Sequence, residues 1–177
     1  MTSSATRRER RLSLLARVTG QKGFTLIELM VTIAILAIVL TIATPSFNNI
    51  ILSNRIDSVA QELHGSLQLA RSEAVKRKER VRVCRSNEAL DDCAAGTDWS
   101  AGWLVLSMDD EVLKVWQEIQ GSTVTGPSDP VVFYGSGMAS VEETFSVTAP
   151  SCANNQKKTI TVRRVGSSTL SRGACDD

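Results

Sequence analysis

A single histidine, His64, stands in 177 residues, and four prolines are all the chain has. His64 has no visible nucleophile partner, so chemistry built on a histidine base has no support. Glycine-rich phosphate loops, paired-carboxylate motifs and metal-ligand spacings are also missing. The four cysteines are widely spaced and the only His, His64, falls on a predicted helix, so a zinc site is a minor alternative to disulfides. The expectation is a protein that is not an enzyme and takes no cofactor and no metal. Between Lys22 and Arg55 there is no basic residue at all. Between Pro45 and Lys78 there is no further proline and only one glycine, Gly65, so a helix can continue there.

What is present begins with an apolar run from Phe24 to Thr44, 21 residues interrupted by one charge, Glu28. That length fits the roughly 20 apolar residues of a bilayer-spanning helix. A carboxylate in such a run costs about 2.5–3.5 kcal/mol at the bilayer centre, so Glu28 reads as functional, with a neutralising partner. Arg7, Arg8, Arg10, Arg11, Arg17 and Lys22 precede the run, opposed only by Glu9. This bias keeps the N-terminus cytoplasmic and sends the C-terminal portion outward. The run is longer than the apolar core of a secretory signal, and no small-residue cleavage site clearly follows it. Pro45 lies near the outer edge of the span. It removes a backbone hydrogen bond and crowds the Thr41 carbonyl, so it marks the membrane exit, a kink, or both.

Lys22-Gly23-Phe24-Thr25-Leu26-Ile27-Glu28-Leu29 resembles the processing signature of type IV prepilins and type II secretion pseudopilins. The resemblance implies that a prepilin peptidase cuts between Gly23 and Phe24 and that the amine of Phe24 is methylated. It also implies that Glu28 meets the Phe24 amine of a neighbouring subunit. Attraction between such charges is far stronger at low dielectric than in water. Further along, Ala70-Arg71-Ser72-Glu73-Ala74 and Trp99-Ser-Ala-Gly-Trp103-Leu-Val105 are similar to the GspH/FimT family of minor pilins and pseudopilins, FimU/FimT-like members above all.

Beyond Pro45, Leu52, Ile56, Val59, Leu63, Leu67, Ala70 and Ala74 recur at steps of three and four. This predicts an amphipathic helix to about Lys78. The remainder reads as strands: 80–84, 103–108, 112–116, 131–134, 144–148, 159–163 and 168–171. Hairpins are expected across Asp109–Glu111 and across Val165-Gly166. The turn-rich stretch Gly121–Pro130 reads as a loop. Trp99 and Trp103 read as packing residues, and His64 as a solvated or interface residue. The fold class is α+β and pilin-like: a long N-terminal helix packed on an antiparallel sheet or small sandwich. The expected parts are a basic leader (1–23), a transmembrane and filament-core helix (24–47), an amphipathic helix (48–79) and a β-rich periplasmic head (80–177).

All four cysteines fall on the exported side, where an even count argues for disulfides. Three connectivities exist. Cys84–Cys93 with Cys152–Cys175 is preferred, because each closes a local loop. The leader holds six basic residues and one acid. Removing them from the 20 and 19 of the whole chain leaves 14 and 18, a net charge of −4. Lys157, Lys158, Arg163, Arg164 and Arg172 form a basic island suited to phosphate. Some FimT relatives bind DNA through a Gly-Arg-x-Arg motif. Here Gly166 is followed by Ser167, Ser168 and Thr169, so DNA is not the favoured partner. The resemblance implies a minor type IV pilin that primes or caps assembly, with a type II secretion pseudopilin and a DNA-uptake pilin as alternatives. Implied partners are prepilin peptidase, other pilins or pseudopilins, and inner-membrane lipid. The implied location is the inner membrane with a periplasmic head, then the pilus or pseudopilus.

Overall fold

The computed structural model describes residues 23–150, 152 and 156–175, except for the side chains of 42–47. The basic leader therefore lies outside the described residues. Helix α1 runs from Leu26 to Arg77 without interruption, position 45 included. At 1.5 Å per residue its 52 residues measure about 78 Å. It ends where Lys78 adopts a left-handed φ of 58° and the Glu79 amide reaches back 3.2 Å to the Ala74 carbonyl. That is the geometry that satisfies the last carbonyls of a helix. Arg77 in the last turn holds the Glu73 carboxyl below its ordinary range by hydrogen bonding. The chain divides into two compact units, residues 1–42 and 43–177.

In the second unit, eight strands form two antiparallel sheets of four. They are β1 (Val81–Arg85), β2 (Trp103–Leu106), β3 (Val112–Trp116), β4 (Thr123–Thr125), β5 (Val131–Phe133), β6 (Glu143–Thr148), β7 (Lys157–Val162) and β8 (Ser168–Gly173). Their orders are β3-β2-β1-β5 and β4-β6-β7-β8. Both expected hairpins form, β2–β3 and β7–β8. The loop expected over Gly121–Pro130 is corrected. It contains β4, which pairs with β6 through Thr123–Thr148, Val124–Val147 and Thr125–Ser146. Three alternating residues between turn signals are too few to stand out in sequence. The buried Val124 and its ladder to β6 hold them as an edge strand.

One core joins these layers. Ile56, Val59, Ala60, Leu63, Leu67, Ala70 and Ala74 of α1 pack with Val83, Val105 and Phe133 of the first sheet and with Phe145, Val147 and Ile160 of the second. Trp99 and Trp103 are both buried. Trp99 meets Phe145 edge-on at 4.9 Å and donates its indole N–H to the Pro127 carbonyl. Trp103 stacks on Trp116 at 5.8 Å. Such pairs add about 0.5–1.5 kcal/mol beyond area burial. The turn beside Trp99 is held by Asp98, which accepts from the Ser100 amide at 2.9 Å.

Truncating the helix face removes atoms shared by both sheets. Leu63→Ala is expected to destabilise the full chain in detergent micelles by about 2–5 kcal/mol, read by tryptophan fluorescence in denaturant. A loss under about 1 kcal/mol would mean that this face does not anchor the core. Hydrogen bonds from Ser100 hold the Asp98 carboxyl below its ordinary range. Its contribution is therefore present above the unfolded pKa and is lost as pH falls through the lower folded value. Asp98→Asn should make the acid-side decline in stability shallower, and an unchanged decline counts against this role.

Candidate functional site

The start of α1 is built by a reciprocal cap. The Glu28 amide donates to Thr25 Oγ1 at 3.2 Å, and the Thr25 amide approaches Glu28 Oε2 at 3.5 Å. This is a capping box, Thr-x-x-Glu, which satisfies amides that the first helical turn leaves unpaired. The signature is legible at Thr25–Glu28, and it gives Glu28 a local role distinct from the counter-charge role that the sequence resemblance implies. The return contact is long, so the carboxylate is lightly held. Gly23 and Phe24 stand exposed just before the cap, Phe24 at 83% of its surface.

The apolar residues that follow are exposed around the whole circumference of the helix. Ile27, Leu29, Met30, Val31, Ile33, Leu36 and Val39 each show half or more of their surface. A helix that is apolar all round requires lipid or other helices as its surroundings. The Thr32 and Thr41 hydroxyls donate to the Leu29 and Ile38 carbonyls at 2.8 and 2.7 Å, so neither hydroxyl needs an outside partner. Among the described residues, no helix is long and apolar enough to cross a membrane. The apolar sequence continues through Ile42, Ala43 and Thr44, whose side chains lie outside the description. The Pro45 side chain lies there too.

In the head, polar side chains of α1 hold the second sheet and the loops between strands. Arg55 reaches the Gln120 carbonyl at 3.5 Å. His64 lies 3.2 Å from the Ser168 carbonyl, half-buried against β8. Asp57 pairs with Lys158, and its other oxygen stands 3.8 Å from Arg172. The buried Asp57 Oδ1 takes no well-aligned hydrogen bond, so its tie to Lys158 is ionic. The basic island is thus divided. Lys158 and Arg172 converge on Asp57, while Arg163 and Arg164 lie exposed at the β7–β8 turn. Lys157 precedes Lys158 on β7 and so faces the other side of the sheet.

Disulfides join Cys84 to Cys93 and Cys152 to Cys175, with Cα separations of 5.5 and 5.8 Å. The first closes a loop over a second, smaller cluster in which Cys84, Leu104 and Leu106 pack with Cys93 and Val115. The second fastens the chain beyond β8 to the segment before β7. Among the described residues there is no free cysteine and no acidic, His or Cys cluster able to hold a metal.

Residues 59–166 match the family model of type II transport protein GspH, and residues 19–44 match the prokaryotic N-terminal methylation motif. Type IV major fimbrial protein FimA of Dichelobacter nodosus is 36% identical over 86 residues, 46% of this chain and 54% of FimA. The chain thus spans about half the length of that curated relative. The crystal structure of type IV minor pilin FimU from Pseudomonas aeruginosa superposes with a TM-score of 0.53 at 21% identity, covering 67% of this chain and 89% of FimU. The minor pseudopilin EpsH of the Vibrio cholerae type II secretion system gives 0.49 at 15% identity, covering 70% and 99%. The likeness to FimU is one of fold.

Asp57→Asn leaves the Lys158 ammonium without its counter-charge; the lysine side chain is 11% exposed. The expected loss is about 1–3 kcal/mol, since a polar group loses its partner. It should fall short of the about 3–5 kcal/mol of fully buried pairs, because Asp57 itself is 29% exposed. Denaturant unfolding with Asp57→Asn alone and with Asp57→Asn/Lys158→Met checks this: the double variant should recover part of the loss, and strictly additive losses would contradict it.

Proposed function

The chain belongs to the GspH family, and on that premise we propose that it is a minor type IV pilin, a structural subunit that helps prime or cap pilus assembly. The proteins of its family and fold are structural pilins and pseudopilins, not enzymes. The observation that carries the proposal is the head of α1. There Gly23-Phe24 precedes a capped helix with one acid, Glu28, and an apolar circumference, inside the match to the N-terminal methylation motif.

Prepilin peptidase cuts between Gly23 and Phe24, and the Phe24 amine is methylated. Before assembly the helix anchors the chain in the inner membrane, with the head in the periplasm. Residues 24–47 then move from lipid into the filament core. In that apolar interior Glu28 pairs with the Phe24 amine of a neighbour, because a lone charge of either sign is costly there. The lightly held Thr25 cap lets the carboxylate turn outward without undoing the helix. Pro45 supplies the point where the helix bends or loosens as subunits pack. The paired cysteines suit an oxidising compartment.

A type II secretion pseudopilin is the second reading, and the GspH family description is the observation that favours it. The type IV assignment draws on the likeness to FimA. DNA uptake has less support. The Gly-Arg-x-Arg motif is missing, and Asp57 already engages Lys158 and Arg172.

Glu28→Ala is expected to leave cleavage largely intact while lowering the amount of the chain in filaments. N-terminal sequencing of the cellular protein and mass spectrometry of sheared pili measure the two effects separately. Wild-type incorporation of Glu28→Ala would overturn the role of Glu28. A cellular chain that still begins at Met1 and never joins a fibre would overturn the proposal, whereas recovery only from secretion pseudopili would select the second reading.

A further inference from the structure

Three segments distant in sequence converge near the C-terminal end of α1. Arg71 donates from Nε to the Gly137 carbonyl at 3.0 Å and from Nη2 to the Val165 carbonyl at 3.2 Å. The Ala139 amide donates to the Arg164 carbonyl at 2.9 Å. The approach is close enough to require glycine. A Cβ on Gly166, at φ +80°, would lie 1.8 Å from the Gly137 oxygen. A Cβ on Gly137 would lie 3.1 Å from Val75 Cγ2, so Val75 borders the same junction.

Three apolar side chains rise from these segments: Val75 at 48% exposure, Met138 at 50% and Val165 at 62%. A single exposed apolar residue needs no explanation, but a fixed group of them marks an interaction surface. Beside them lies a groove of about 620 Å³ between α1 and the β7–β8 turn, bordered by Arg71, Val75 and Lys76. Arg71 and Lys76 line the groove, and Arg163 and Arg164 are exposed in the turn beside Val165, so this surface is basic. Residues 134–140 and 163–173 contain no acid. The one acid beside Lys76 on α1, Glu73, is held by Lys76 at 3.4 Å and Arg77 at 3.0 Å.

We infer that this surface docks an acidic, apolar-tipped segment of a neighbouring protein subunit. Its carboxylates meet the basic rim, and its apolar side chain seats among Val75, Met138 and Val165. Charge complementarity selects an acidic partner and steers its approach. The apolar group selects protein over nucleic acid, since phosphate contacts need only cations and polar donors. The inference rests on the assembly reading above but concerns the head, not the helix start.

The test uses the full chain in the cells that assemble it, with a photo-reactive amino acid in place of Val165. The expected product is a cross-link to one subunit, mapped by mass spectrometry to a segment rich in Asp or Glu. Lys76→Glu/Arg164→Glu changes two exposed side chains and should cut the yield about tenfold or more. Lys at the mapped acids should restore it. An unchanged yield, cross-links only to lipid or DNA, or no protein cross-link would each overturn the inference. Normal pilus incorporation together with a charge-insensitive cross-link removes this docking surface and leaves the assembly reading standing. A charge-sensitive cross-link that persists in membranes when pili are absent does the reverse.

Discussion

The head depends on the apolar stripe of α1 between Ile56 and Ala74. Both four-stranded sheets contribute side chains to the same cluster as this stripe. The small residues Ala60, Ala70 and Ala74 let the backbone of α1 come close, while Leu63 and Leu67 fill the space between the layers. Phe133 from one sheet and Phe145 from the other reach the same cluster.

Polar contacts then fix how the helix lies on the sheets. Hydrophobic burial is non-directional, so it would tolerate some sliding of α1. Arg55, Asp57, His64 and Arg71 remove that freedom by binding the β3–β4 connection, β7 and β8, the start of β8, and two separate turns. Ties to exposed partners add little energy each. Asp57–Lys158 differs, because neither side chain is fully solvated and each would be costly to leave alone.

Much of this fold was legible because its signals are local. The three- and four-residue steps from Leu52 to Ala74 set the buried face of α1, and the alternation in 103–116 and 159–171 marked two hairpins with their turns. The opaque features are those that depend on distant partners. β1 lies between β2 and β5, although β5 comes more than forty residues later. β4 is only a three-residue strand until β6 pairs with it. The two halves of the basic island look continuous in sequence, yet Asp57 on a different element divides them. At the helix start the sequence held more than its apolar length conveyed: Thr25 and Glu28 form a local cap that the counter-charge reading alone does not need.

The observed cap and the proposed counter-charge role of Glu28 fit together physically. A carboxylate is favourable at a helix N-terminus because the unpaired amides there carry partial positive charge. The same position places it one turn from Phe24, where the proposed cleavage would create a full positive charge. In the single chain the cap gives Glu28 a modest local partner and fixes the first turn. Within an apolar bundle of helices, a neighbouring ammonium offers a much stronger attraction than a single amide at 3.5 Å. Exchange of the weaker partner for the stronger one gains energy only once water is gone. On the proposed reading, subunit pairing is thereby tied to helix packing, and a solitary chain in water has little electrostatic reason to associate through Glu28.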